Sequence, residues 1–303
     1  MTDGAKARLR HAYGPDHLGA SFSGVTIEPT NRCPNDCIHC TRSLVLDCPI
    51  MDIGLKDVAS LVKNIKESGL VRPSTWLHFG FAGEPVIHPK FTSVVETAMA
   101  EGWVRIMIYS GLICSEAQFE ALETGLSQNY WKNVCVRTSL HFWQHNRQVN
   151  RAKLYARCRR IRQVIGERIT FSVIPPLAEL ILPERTRAAK EIGVPIEEVK
   201  GRLPSDTFSM HSMLPRCDCI AFTPCSAWGR HITVEGELTL CCLDQKPHVS
   251  FGSLFKERFR EVWKRKCAFL EDLRQGKIEM PAHCQRCRSV ESFRNQLTNG
   301  FIH

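Results

Sequence analysis

The 303-residue sequence has no uninterrupted run of about 18 apolar residues, the length that a membrane-spanning helix requires. Its first residues, MTDGAKARLRHAYGPDH, lack the apolar core of a secretory signal. Internal repeats and low-complexity tracts are also missing, which excludes solenoids and repeat arrays. These absences predict a cytoplasmic protein without a membrane partner.

Cysteine, by contrast, is abundant, with 15 residues in the chain. An odd number of thiols in a reducing compartment fits disulfide pairing poorly, so clustered cysteines are interpreted as metal ligands. The isolated ones, among them Cys114, Cys135 and Cys158, lie in apolar or helical runs. There a thiol usually serves as a small core side chain.

A formal net charge of +9 raises the question of a nucleic acid partner. The one dense basic stretch, RAKLYARCRRIRQ at 151–163, has the spacing of a helix. In it Leu154, Cys158 and Ile161 would face inward while the arginines are solvated. Since no basic segment is interleaved with aromatic residues, we expect no nucleic acid partner.

Short β-rich runs alternate with amphipathic helices up to about residue 200. Strands are predicted at 24–28, 75–81, 103–110, 133–142 and 168–176, and helices at 51–69, 89–102, 115–125, 151–163 and 183–193. This order predicts a parallel sheet, and hence an α/β fold with a partial (β/α)6 TIM-like barrel. A strand–turn–strand pattern around Glu235-Gly236 and a helix near 254–274 predict a small C-terminal β-hairpin/helix domain. The predicted organisation is an N-terminal extension (1–23), a core barrel (24–200), and a bridging region with the appended domain (201–303).

Three cysteines, Cys33, Cys37 and Cys40, follow the first predicted strand with the spacing Cys-x3-Cys-x2-Cys. Three thiolates can hold three irons of a [4Fe–4S] cube and leave the fourth iron open to another ligand. A structural zinc ion would need a fourth ligand nearby, and His39, between two of the cysteines, is poorly placed for that. The spacing therefore favours an open iron–sulfur cluster over zinc.

Together with FAGEP at 81–85, this triplet resembles the signature of the radical SAM superfamily. The resemblance implies that S-adenosylmethionine (SAM) binds the open iron through its amino and carboxylate groups. It also implies a set of SAM-binding residues: His39 near the adenine, Ala82, Gly83 and Glu84 at the methionine amino group, and Ser110 and Ser139 at strand ends. In barrels of this kind the chemistry collects at the carboxyl ends of the strands.

A second set of cysteines surrounds the predicted hairpin, and geometry alone would allow it to bind zinc. Radical SAM proteins with a SPASM extension, or a shortened twitch extension, resemble this chain in their cysteine–glycine–cysteine spacing and terminal knuckle. Because no cysteine follows the knuckle, the resemblance implies a twitch domain with one auxiliary [4Fe–4S] cluster, the second cluster of the chain. The implied ligands are Cys225, Cys241, Cys284 and Cys287, with Cys217 or Cys219 as alternatives to Cys225.

The resemblance implies that a 5′-deoxyadenosyl radical takes a hydrogen atom from the substrate. Cys242 follows the predicted ligand Cys241, and neighbours on a strand point to opposite faces, so Cys242 is a candidate hydrogen donor. We therefore favour a radical SAM epimerase, an isomerase of antibiotic biosynthesis that inverts a stereocentre of an aminoglycoside or sugar-like molecule. The alternatives are a dehydrogenase that oxidises a secondary alcohol through the auxiliary cluster, and a peptide-modifying epimerase or maturase.

The expected partners are a small-molecule substrate and a flavodoxin- or ferredoxin-type reductant. Only 23 residues precede the first predicted strand, which argues against a leader-peptide-binding module. The basic net charge argues against a polycationic substrate unless the pocket itself is acidic. Glu28 and Asp244 are the candidates for such a pocket, and both are equally interpretable as structural.

Overall fold

A computed structural model describes residues 22–35, 49–140, 150–173, 180–201, 230–240 and 249–274, together with 244, 247, 276–279 and 281. Seven strands of this part of the chain form one sheet in the order β6-β5-β4-β3-β2-β1-β7, and all neighbouring strands run parallel. They are β1 Phe22–Ile27, β2 Val71–Phe79, β3 Ile106–Ser110, β4 Val134–Leu140, β5 Ile169–Val173, β6 Val199–Gly201 and β7 His231–Ile232. The sheet does not close, so the predicted α/β fold with a partial barrel is confirmed.

Helices connect consecutive core strands and cover one face of the sheet. They are α1 Leu55–Glu67, α2 Phe91–Ala100, α3 Glu116–Ser127, α4 Arg151–Ile165 and α5 Ile181–Ile192, and α6 Phe259–Arg274 follows β7. Side-chain caps mark the starts of two of them: α3 begins with a capping box between Ser115 and Gln118, and at the start of α4 the Asn150 side chain accepts from Lys153 N. No helix in the described ranges is long and apolar enough to cross a membrane.

Alternation along the strands gives the sheet two different faces. In β4, Val134, Val136 and Leu140 are buried in the core that the helices share. Arg137 and Ser139 lie on the other face and are only half-buried. The same alternation holds in β2 and β3. A barrel turns this second, more polar face inward, and we call it the inner face.

The predicted hairpin does more than begin a separate domain, because its first strand extends the core sheet. The β1–β7 pairing includes hydrogen bonds from Thr26 N to Arg230 O (2.8 Å) and from Glu28 N to Ile232 O (2.9 Å). The turn is at Gly236, whose φ of 78° favours glycine. The boundary predicted near residue 200 remains a prediction.

A second attachment joins α1 to the segment before α6. The Asn64 side chain donates hydrogen bonds to Leu254 O (3.1 Å) and Glu257 O (2.8 Å), and accepts one from Phe259 N (2.8 Å). The hairpin and α6 are therefore held to the core at both a sheet edge and a helix.

The basic helix α4 buries Leu154, Cys158 and Ile161, as predicted. Its arginines are not simply solvated. Arg157 is buried, with 4% of its surface exposed, and pairs with Glu116 of α3 at 2.8 Å. Ion pairs also join Arg160 to Glu116 and Glu123, and Arg162 to Glu198. Because these arginines form ion pairs within the protein, fewer unpaired positive charges on α4 are left for a nucleic acid.

Candidate functional site

Three segments meet at the carboxyl edge of the sheet: residues 28–35 after β1, 80–84 after β2, and 110–111 at the end of β3. Glu84 N donates to Arg32 O (2.7 Å), which joins the first two segments. Gly111 N donates to Glu84 Oε2 (2.7 Å), which joins the second to the third. The segment that contains Cys33 and the FAGEP loop are therefore neighbours in space.

Gly83 makes this approach sterically feasible. A Cβ added at this position would lie 1.8 Å from the carbonyl oxygen of Thr30 and 2.9 Å from that of Arg32. Only glycine allows the FAGEP loop to pack directly on the segment that leads to Cys33. A cluster and a SAM molecule that share one iron require such contact, so this arrangement fits the cofactors that the sequence implied.

The backbone just before Gly83 is strained. Phe81 has a φ of 129°, which is unfavourable for a residue with a side chain. Its ring stacks on His231 of β7, with centroids 4.8 Å apart and an angle of 25° between the rings. Strained residues persist where the surroundings fix them, and here the hairpin segment contributes to that support.

Residues 30–32, which precede the 36–48 segment, bind residues 49–52, which follow it. The Asn31 side chain accepts a hydrogen bond from Met51 N (2.8 Å) and donates to Pro49 O (2.7 Å). Thr30 Oγ1 donates to Met51 O (3.0 Å), and Arg32 pairs with Asp52. Cys33 is half-buried beside these anchors. Cys37, His39 and Cys40 lie outside the described residues, so their predicted roles are untested.

Glu84 is a buried carboxylate that holds the end of β3 by hydrogen bonds. Its carboxylate accepts hydrogen bonds from Ser110 Oγ (2.6 Å), Gly111 N (2.7 Å) and Val86 N (3.4 Å). Burial raises the pKa of Glu84 to about 7, although these hydrogen bonds oppose the rise. Ser110 is thereby fixed at the end of β3. The roles of Ala82, Gly83, Glu84 and Ser110 towards SAM remain predictions.

A second buried carboxylate, Glu28, connects the FAGEP loop to the hairpin. Oε1 accepts from Ala82 N (3.1 Å), and Oε2 accepts from Val234 N (3.1 Å). Burial also raises the pKa of Glu28 to about 7. Asp244 is likewise buried and accepts from Leu240 N (3.0 Å). Both carboxylates that could have made the pocket acidic therefore bind backbone amides.

Polar side chains that were not predicted line the inner face. The rings of His78 and Tyr109 meet edge to face, with centroids 5.3 Å apart. Arg137 Nη1 donates to Tyr109 Oη (3.4 Å). Burial, together with the positive charges of Arg137 and Arg230, lowers the pKa of His78 to about 4. The period-two alternation of β2, β3 and β4 was the signal that could have found this group.

Ser139 lies at the carboxyl end of β4, on the same face. Its hydroxyl is 3.3 Å from that of Ser172 on β5. This places it beside the candidate site without testing its predicted contact with SAM.

The predicted auxiliary ligands and the candidate donor Cys242 fall outside the described residues: Cys217, Cys219, Cys225, Cys241, Cys242, Cys284 and Cys287. Among the residues that the structure does describe, no group of three or more potential metal ligands occurs. The described part of the segment that leads to Cys241 ends at residue 240. There the fully buried Lys266 donates to Thr239 O (2.7 Å).

The fold and the site define a class: an open α/β barrel with a cysteine-bearing loop packed on a glycine-containing loop at the carboxyl edge of the sheet. The SPASM family, an iron–sulfur cluster-binding domain, matches residues 225–288. The PqqA peptide cyclase of Gluconobacter oxydans strain 621H is 24% identical over 307 residues, which cover 87% of this chain and 82% of that protein.

Solved structures of other proteins share the open α/β barrel fold of this chain. BtrN in complex with AdoMet and 2-DOIA aligns with a TM-score of 0.52 and 15% identity, over 84% of this chain and 88% of BtrN. Streptococcus suis SuiB bound to S-adenosylmethionine aligns with a TM-score of 0.58 and 11% identity, over 94% of this chain and 73% of SuiB. The matches confirm the resemblance to radical SAM enzymes with a C-terminal SPASM-type extension, whose fold this chain shares. Its cofactors are [4Fe–4S] clusters and SAM.

Proposed function

We propose that this enzyme is an epimerase that inverts a carbon stereocentre of a natural product, with Cys242 as the hydrogen donor. The observation that carries the proposal is the attachment of the hairpin to the SAM-motif loop through Glu28, which accepts from both Ala82 N and Val234 N. This attachment supports the proposal by holding the hairpin that leads to Cys242 against the barrel: after the turn at Gly236 the chain returns along β7, where Thr239 N donates to His231 O (2.9 Å).

With the cluster held by Cys33, Cys37 and Cys40 and SAM held by the Ala82–Glu84 loop, the two cofactors would supply a carbon radical able to take a hydrogen atom from a substrate C–H bond. The chain's own residues position this event: Gly83 and Thr30 keep the two cofactor loops in contact, and Glu84 fixes the end of β3. Cys242 would then give its S–H hydrogen to the opposite face of the substrate radical. One S–H bond breaks and one C–H bond forms. The sulfur radical left behind needs one electron and one proton, which a flavodoxin- or ferredoxin-type reductant and solvent would provide.

A dehydrogenase is the second candidate, and His78 is the observation that favours it. Because the pKa of His78 is about 4, its imidazole is neutral at pH 7, and its unprotonated ring nitrogen could accept a hydrogen bond from a substrate hydroxyl on the inner face. Oxidation of a secondary alcohol would remove one hydrogen atom, one proton and one electron, the electron passing to the auxiliary cluster. A peptide substrate is the third alternative, since the related cyclase is named for the PqqA peptide.

Anaerobic turnover in heavy water separates the first two candidates. The reaction would contain the reconstituted chain, SAM, dithionite, and a panel of aminoglycosides and neutral or acidic sugars. A product of unchanged formula with one carbon-bound deuterium indicates an epimerase. A product lighter by two hydrogens indicates a dehydrogenase, which would remove the proposed role of Cys242.

The donor itself is tested with Cys242→Ala, with Cys135→Ala as the control. Cys135 is a half-buried thiol of β4. We expect Cys242→Ala to form 5′-deoxyadenosine without inverted product, while Cys135→Ala keeps both. Inverted, deuterated product from Cys242→Ala would show that another group returns the hydrogen.

A further inference from the structure

The inner face carries a guanidinium group that forms no ion pair with the described part of the chain. Arg137 is half-buried on β4, and its only described hydrogen bond is the 3.4 Å contact with Tyr109 Oη. No carboxylate among the described residues forms an ion pair with it. The arginines of α4 differ, since Arg157 and Arg160 each pair with Glu116.

Arg137 lies within reach of a molecule bound at the site. Ser139 is at the carboxyl end of β4. Arg137 precedes it by two residues and so lies about 7 Å inside the edge of the sheet. Tyr109, which lies beside Arg137 in the β3–β4 register, directly precedes Ser110. Arg137 therefore lies one layer of residues below the edge where the cofactor motifs meet.

The groups around Arg137 leave the local potential positive. Its guanidinium carbon lies 5.4 Å from the centre of the Tyr109 ring. The neighbouring His78 is neutral, and the positive charges of Arg137 and Arg230 both act on it. The carboxylates of Glu28 and Glu84 are turned towards backbone amides and Ser110. A substrate with several positive charges would meet repulsion here without a described acidic partner.

We propose that Arg137 binds a carboxylate of the substrate, so that the substrate class is anionic rather than a polycationic aminoglycoside. The inference rests on the proposed function in taking the inner face as the place where the substrate reacts. A guanidinium presents a planar fork that matches a carboxylate with two hydrogen bonds. The Tyr109 hydroxyl and ring orient that fork.

Binding measurements with matched probes test the proposal independently of turnover. The reconstituted full-length protein, loaded with SAM, is titrated with glucuronate against glucose. It is also titrated with acetylated and amidated alanyl-glutamyl-alanine against alanyl-glutaminyl-alanine. The first pair represents a small-molecule carboxylate and the second a peptide carboxylate. We expect the wild type to prefer the carboxylate of at least one pair by about tenfold or more, because charge-assisted hydrogen bonds away from bulk water are strong.

Arg137→Gln should abolish this preference, and Arg137→Lys should retain part of it, because a lysine keeps the charge without the fork. The control is Arg105→Gln. Arg105 is at the amino end of β3, stacked on Trp76 at 4.2 Å and bonded to Ser74 O. This control should leave the preference unchanged, and SAM affinity should stay within twofold of the wild type in all three variants.

Three results would overturn the proposal: no carboxylate preference in the wild type, a preference that survives in Arg137→Gln, or a loss of SAM affinity in that variant. The last would assign the guanidinium to the cofactor. Measuring reductive SAM cleavage without substrate distinguishes failure of this inference from failure of the proposed function. Wild type that cleaves SAM but ignores the carboxylate refutes only this inference. Wild type that prefers the carboxylate but forms no 5′-deoxyadenosine refutes only the proposed function.

Discussion

Replacing Gly83 with alanine should separate the two cofactor loops. The new Cβ would start 1.8 Å from Thr30 O, whereas ordinary contact begins near 3.4 Å, so the loops must part by about 1.5 Å. The obstructing atom belongs to the backbone and cannot rotate away. Such a shift would break the 2.7 Å hydrogen bond from Glu84 N to Arg32 O. Overpacking and the lost bond together cost about 3 kcal/mol.

For a chain of this size, that cost corresponds to a fall in Tm of about 6 °C. A misplacement of about 1 Å at a reacting centre also lowers the rate about 100-fold. We expect Gly83→Ala to bind SAM at least tenfold more weakly in anaerobic calorimetry, and to form 5′-deoxyadenosine correspondingly slowly. Iron content per chain is measured in parallel, so that loss of the cluster is distinguished from loss of SAM binding.

Gly54→Ala is the matched control. Its Cβ would meet only Asp57 Oδ2, at 2.8 Å, the free end of a flexible side chain at the start of α1. The cost should stay below about 1 kcal/mol, with unchanged SAM affinity. If Gly83→Ala also bound SAM within twofold of the wild type, the packing argument for the shared cofactor site would be wrong.

Two further predictions concern the supports of the site. Because the folded-state pKa of Glu84 is about 7 against an ordinary 4.5, its contribution to stability is complete below pH 4.5 and is lost as the pH rises to 7, by about 3 kcal/mol. Tm should therefore fall less steeply between pH 5 and pH 8 in Glu84→Gln than in the wild type, and equal slopes would contradict the assigned pKa. Asn64→Ala leaves three backbone groups unpaired, so hydrogen exchange at 254–274 should accelerate at least tenfold. Lys63→Ala, which removes only an exposed 3.9 Å ion pair, should not accelerate it, and equal exchange in both variants would refute the attachment.

Local patterns were sufficient to predict the barrel. Each strand from β1 to β5 overlaps a predicted one, because a period of two followed by a period of 3.6 is a property of neighbouring residues. The short strand β6 was missed, since Val199–Gly201 is too brief to show any period. The pairing of β7 with β1 was missed for another reason. It joins residues about 200 positions apart, and no local signal encodes such a partner.

In the candidate site, too, the short motifs could be predicted from the sequence, whereas contacts between distant residues could not. The cysteine spacing and FAGEP were visible because each is a short motif, but the reason for Gly83 was not. Its role depends on the carbonyl oxygen of Thr30, more than 50 positions away. Glu28 was noticed as a charge, and only the fold shows that both of its oxygens accept backbone amides.

The charge of the chain shows why a residue count could not identify the substrate. A net charge of +9 includes Arg157, Arg160 and Arg162 of α4, which form ion pairs with Glu116, Glu123 and Glu198. The charge that a substrate meets depends instead on which ionised groups lack a partner on the inner face. There the carboxylates of Glu28 and Glu84 bind backbone amides and Ser110, whereas among the described residues the guanidinium of Arg137 forms its one hydrogen bond with a tyrosine. Selectivity for anions would thus follow from how the fold distributes partners among its charges, with the total charge contributing only a weak long-range attraction.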